Sequence, residues 1–139
     1  MRDLCNDITV INALDIQTIS TDTTTAGDEI DRADYQGESL TFVLQTGTVT
    51  DGDYLIAITH GDETGVLTAV ADADLIGTEA GASFSADTDD NKTGKIGYVG
   101  GKRYVKASIV STNTSSGAVL GMTAIIGHLK ENPDATQTR

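Results

Sequence analysis

Little in this chain can be cross-linked, stacked or threaded through a membrane. Its 139 residues include one cysteine, one proline, two phenylalanines, four tyrosines and no tryptophan. A lone Cys5 excludes an intrachain disulfide framework and asks for no oxidising compartment. Aromatics at 4% leave the core to Ile, Val, Leu and Ala. The longest apolar run is the five residues 54–58, far short of the roughly 18 that a membrane-spanning helix needs. Acids at Asp3 and Asp7 precede any apolar run, so neither a signal peptide nor a membrane span is expected and the chain is read as made and used without secretion. Basic residues are scarce too, 9 against 21 acids, giving a net charge of −12 and a pI near 4.2. Such a chain repels phosphate backbones and anionic lipid surfaces, so nucleic acid and membrane are excluded as partners.

What is present favours strands. Leu, Ile, Val and Phe total 32 residues, just enough for a small core, and 21 Thr with 15 Gly favour strands and turns over helices. The length suits one domain. No stretch of 12 or more residues carries a clean helical period. Residues 8–11 and 16–19 read as two β-branched segments, and 21–27 as a Thr-rich loop. Leu40, Phe42 and Leu44 alternate onto one face, as do Tyr54, Ile56 and Ile58 after the Asp51-Gly52 turn signal, so 39–59 reads as a hairpin placing Phe42 near Ile56 or Ile58. Residues 66–78 read as a strand running into a helical turn, and 83–94 as a polar loop. A second hairpin is expected where 96–99 and 103–110 flank Gly100-Gly101. A loop over 111–117 leads to a last strand over 118–127, in which Gly121 and Gly127 mark a bulge or close contact. The sum is an all-β chain: one β-sandwich or jelly-roll-like domain of about seven or eight strands with extended terminal arms. Residues 1–20 form the N-terminal arm and first strands, 21–128 the body and 129–139 the C-terminal tail.

The motifs that carry chemistry are weak. His60 precedes Gly61-Asp62-Glu63 and reads as part of a solvated turn. His128 reads as a strand-end surface residue, and Cys5 sits on the arm away from both, so no catalytic residue is assigned and the chain is read as no enzyme. Asp87, Asp89 and Asn91 put oxygens at alternate positions, as a calcium loop would. Positions 6 and 12 of that loop, however, hold Lys92 and Tyr98 where Gly and Glu are needed. The loop is taken as solvated, with no metal and no cofactor implied. Residues 97–102 lack the spacing and following helix of a phosphate loop. A carbohydrate face would need stacking aromatics that this composition does not supply.

The order of segments carries a resemblance: Thr21 to Thr25 with Ala26-Gly27, then Ile30-Asp31, Tyr35 and Glu38-Ser39-Leu40-Thr41-Phe42, Gly47-Thr48-Val49-Thr50-Asp51-Gly52, Asp74-Leu75-Ile76-Gly77-Thr78, and the run from Lys95 to Val105. Across about 21–127 it resembles a family of small tailed-phage and prophage proteins encoded among head-assembly genes, of the capsid decoration or cement type. The resemblance implies a virion protein made in the host bacterial cytoplasm. It would bind the major capsid protein on the outer capsid surface as a homo-oligomer, a trimer ahead of a dimer. Two other classes stay open: a tail tube or head-tail joining protein, and a calcium- or ligand-binding β module. For attachment, Leu4, Ile8, Val10 and Ile11 in the arm and Leu129 in the tail are the expected interface residues. Ile8 and Val10 alternate in a way that suits a strand added to a neighbour's sheet.

Overall fold

Period-two alternation of aliphatic and polar residues marks most of the nine strands among the described residues. The computed structural model describes residues 4–35, 37–85 and 87–129. Within them run β1 (Ile8–Ile19), β2 (Thr23–Asp31), β3 (Gly37–Val49), β4 (Asp53–Glu63), β5 (Val66–Ala69), β6 (Leu75–Ile76), β7 (Thr93–Tyr98), β8 (Tyr104–Thr112) and β9 (Ala118–Leu129). The helical pieces among the described residues are three-residue 3-10 turns. All strand pairs are antiparallel. One sheet has the order β1-β9-β3-β7-β6, the other β2-β8-β4-β5, and together they make the expected all-β sandwich.

The chain changes sheet at every connection except β4–β5 and β6–β7. Both expected hairpins therefore fail. β3 pairs with β9 and β7, while β4 pairs with β8 and β5, so Asp51-Gly52 carries the chain across the sandwich instead of back along one sheet. Gly100-Gly101 likewise joins β7 of one sheet to β8 of the other, and neither glycine takes a positive φ. Phe42 and Ile56 belong to one core from opposite sheets. The two segments at 8–11 and 16–19 are one strand, β1, with register shifts between Asn12 and Leu14 and between Leu14 and Gln17. The Thr-rich stretch is strand β2, laddered to β8 from Thr23 onward. Residues 66–78 do run from a strand into a 3-10 turn, Asp72–Asp74. In the stretch read as a polar loop, Phe84 is buried and bridges to Tyr54.

The core fills from both inner faces: Leu40, Phe42, Leu44, Leu120, Met122 and Ile126 from the first sheet, Tyr54, Ile56, Ile58, Val105 and Ile109 from the second. One side of the sandwich is closed by residues 78–84. There β5 covers only the end of β4, so the amides of Tyr54, Ile56 and Ile58 bond Phe84 O (2.7 Å), Ser83 Oγ (3.1 Å) and Glu79 Oε1 (2.8 Å). The edge that these groups would otherwise expose is thereby satisfied. Phe42, with no exposure at all, sits centrally in this core. Phe42→Ala should cost on the order of 3–5 kcal/mol, a large part of a small domain's stability, and chemical denaturation of the two proteins measures the difference.

Candidate interaction surface

The outward positions of the five-stranded sheet form cross-strand rows fixed by the register. One row is Val10, Ile125, Thr41, Gly97 and Ile76, one residue from each strand. The next is Asn12, Thr123, Val43 and Lys95. Beyond them lie Ile8, Gly127 and Ser39 on one side and Gly121, Gln45 and Thr93 on the other. Among these positions Lys95 is the only charge, in a chain that carries 30 charged residues (9 basic, 21 acidic). An antiparallel sheet with one face in water ordinarily alternates polar outward with apolar inward. Here Val10, Ile16 and Ile76, respectively 45, 82 and 64% exposed, stand on the outward face.

Two glycines shape that face. A Cβ on Gly121 would lie 2.7 Å from Ile16 Cγ1 and 3.1 Å from its Cα, so the bulged part of β1 folds over β9 only because residue 121 has no side chain. At the far margin Ile76 leans over Gly97 in the same way, 3.2 Å from the position of an added Cβ. Close contact at Gly121 is what the sequence suggested, whereas a Cβ at Gly127 would meet only ordinary contacts. Between β1, β9 and β3 lies a groove of about 360 Å³, lined by Asn12, Ile16, Gln45, Asn91, Gly121 and Thr123 among others. At its rim the Asn12 amide donates to Asp15 Oδ1 at 2.5 Å, which holds a carboxylate beside the face.

The five residues expected at an interface do not stay together. Leu4 is exposed ahead of the 3-10 turn Cys5–Asp7, Ile8 is half-buried and Val10 is exposed on the outer face. Ile11 is buried in the chain's own core opposite Ala124, and so is not available to a neighbour in this fold. Leu129 ends β9 in register with Gly37, and its side chain lies outside the described residues, as do residues 130–139 of the tail. Residues 8–12, expected to extend a neighbour's sheet, pair instead with residues 123–127 of their own chain. The sequence missed Ile16 and Ile76 because only the sheet order puts them on one face with Val10.

The polar residues gather at the two ends of the sandwich. At one end the Asp51 carboxylate accepts the amides of Ser115, Ser116 and Gly117 at 2.8–3.1 Å, and those three bonds hold its pKa below the ordinary value. Asp22 accepts the Thr114 hydroxyl and amide there, with the same direction of shift, the hydroxyl contributing most. At the other end Arg32 donates to Gly100 O, Lys102 O and Glu38 O, each at 2.9 Å, with its guanidinium 5.3 Å from the Tyr98 ring centre. Tyr98 is buried, which raises its pKa, and its hydroxyl accepts the Lys102 amide at 3.1 Å and lies 2.8 Å from His60 Nδ1. His60 is thus a half-buried strand residue, not part of a solvated turn. His128 is exposed near the strand end, 2.6 Å from Ser39 Oγ by its Nδ1, and Cys5 is exposed. In the acidic loop Asp90 Oδ1 accepts the Val49 amide at 2.6 Å and Asp89 Oδ2 the Ser85 amide at 3.1 Å. Among the described residues no group of three or more His, Cys, Asp or Glu is placed to hold a metal ion, and no helix is long and apolar enough to cross a membrane.

Two outcomes follow from these ends. Tyr98→Phe leaves the Lys102 amide without its acceptor and should destabilise the fold by about 1–2 kcal/mol, readable by denaturant titration. For Asp51 the folded pKa lies below the ordinary 3.8, so its contribution is fully present above that value and is lost as pH falls through the lowered one. Asp51→Asn should therefore melt below the wild type near neutral pH, and the gap should close on acidification to roughly pH 2. A gap that is constant across that range would contradict the assignment.

No family model matches the chain, and no curated protein matches its sequence. Among solved structures the chain is similar to the crystal structure of the SPBc2 prophage-derived protein YomS, with 18% sequence identity and a TM-score of 0.49 over 86% of this chain and 93% of that one.

Proposed function

We propose that this chain is a structural phage virion protein, acting without catalysis, that decorates and stabilises the outer surface of the capsid by binding the major capsid protein as a homo-oligomer. The observation that carries this reading is the outer face of the five-stranded sheet, aliphatic and singly charged on a body of net charge −12. Exposed aliphatic side chains on a sheet face that carries one charge favour a protein partner over solvent. The charge suits the outside of a shell, because a lumen packed with DNA repels it. The resemblance over 21–127 to head-cluster proteins points the same way.

The test is sedimentation of tail-less, undecorated capsids with the purified chain. Binding in many copies per particle, with a raised temperature of capsid disruption, is the expected result. Retention only on particles that carry tails would make the chain a tail tube or head-tail joining protein and overturn the proposal. Heat release on calcium titration without capsid binding would favour the ligand-binding module. Cys5→Ala combined with His128→Ala should leave capsid binding unchanged, and its loss in a folded variant would argue against a purely structural role.

A further inference from the structure

The outer face of the five-stranded sheet is complementary to itself. Its longest row begins with exposed Val10 on β1 and ends with exposed Ile76 on β6, with β3 at the middle of the five strands. Its one charged strand position, Lys95 on β7, and the Asp15 carboxylate at its rim beside Asn12 are of opposite sign and lie on opposite sides of β3. A twofold axis running along β3 exchanges β1 with β6 and β9 with β7. That single operation lays Val10 of one molecule against Ile76 of the other. It also sets Lys95 over the groove on β9, with its ammonium in reach of Asp15. A twofold axis across the strands would instead oppose like charges. From these matches we propose that the chain forms a twofold dimer through this face, a second copy of itself being the occupant.

Several observations favour a second copy. The ion pairs among the described residues are Lys102 with Asp62 and Arg103 with Asp31, so Lys95 makes no salt bridge to any described residue. In a protein of net charge −12 most approaches between copies bring acids together, whereas this face brings one acid and one base from each. An isologous interface needs knob and hole on the same patch, and Ile16 stands at a groove that Asn12, Gln45 and Thr123 also line. The other sheet's outer face offers less, because its rows include Glu29, Lys106 and Asp31. The proposal rests on the structural-protein reading for its purpose, and it selects the dimer over the trimer that the family resemblance favours.

The test uses the purified full chain alone, in sedimentation equilibrium at low salt, so a failure here leaves the capsid reading standing. The wild type should be a dimer. Asp15→Lys and Lys95→Asp should each shift the protein to a folded monomer, with the circular dichroism of the wild type, because both residues are exposed. Mixing the two single variants should restore a dimer, since each contact then joins Lys to Asp. A head-to-tail trimer would not be restored by that mixture, because alternating variants cannot close an odd ring. A monomeric wild type, or single variants that dimerise as the wild type does, would overturn the proposal. Val10→Asp, checked for folding by circular dichroism, gives an independent reading: undiminished dimerisation in that variant would overturn it as well.

Discussion

Crossing from one sheet to the other is the constraint on which the rest of this fold depends. Each crossing takes backbone out of the ladders, and polar groups so released must find other partners. Two buried tyrosines meet that need. Tyr54 sits just after the β3–β4 crossing, its hydroxyl 2.9 Å from Asp51 O and 3.2 Å from Ile19 O. Tyr98 sits just before the β7–β8 crossing and accepts the Lys102 amide. Each lies two residues from a glycine, Gly52 or Gly100, whose missing side chain leaves the ring its place: an added Cβ would lie 3.0 Å from the Tyr54 hydroxyl or collide with that of Tyr98. A buried ring with a polar tip satisfies the corner while filling the core, which phenylalanine could not do.

The two ends solve the same problem with opposite charges. Amides turn inward at the β8–β9 crossing, and carboxylates of Asp51 and Asp22 accept them. Carbonyls turn inward at the β7–β8 crossing, and the Arg32 guanidinium donates to them. Part of the chain's acidity is therefore spent on its own backbone. Carboxylates that accept amides are stabilised as anions, so the negative charge and the fold support each other at neutral pH. Gly117, at φ +89, belongs to the same arrangement, since any side chain there would run into Ile19 O.

How much of this could be seen in the sequence depends on the range of the signal. The alternation of Leu40, Phe42 and Leu44 names a strand and its inner face, because both are local. Asp51-Gly52 and Gly100-Gly101 mark chain reversals, but a reversal does not say whether the next strand rejoins the same sheet, and here it does not. β2 was hidden for a different reason: Ile30 is its one buried residue, so an edge strand of Thr, Ala, Gly and acid has no alternation to detect. The pairing of His60 with Tyr98 spans 38 residues and two sheets, and no local pattern encodes it. The outer face is legible only once the register is known, since Val10, Ile125 and Ile76 come from three distant segments.

The edges of both sheets are built against strand addition. A strand added by a neighbour needs a regular row of free amides and carbonyls. β1 has two register shifts and β2 one, β5 is four residues long and β6 two. The exposed flank of β4 is closed by residues 79–84. Bulges twist an edge away from the plane that a new strand must share, and short strands offer too few bonds to offset the entropy of fixing a partner. The same bulge in β1 that spoils the edge swings Ile16 over Gly121 and onto the outer face. A single irregularity thus protects the chain from strand addition and adds an aliphatic side chain, Ile16, to the outer face.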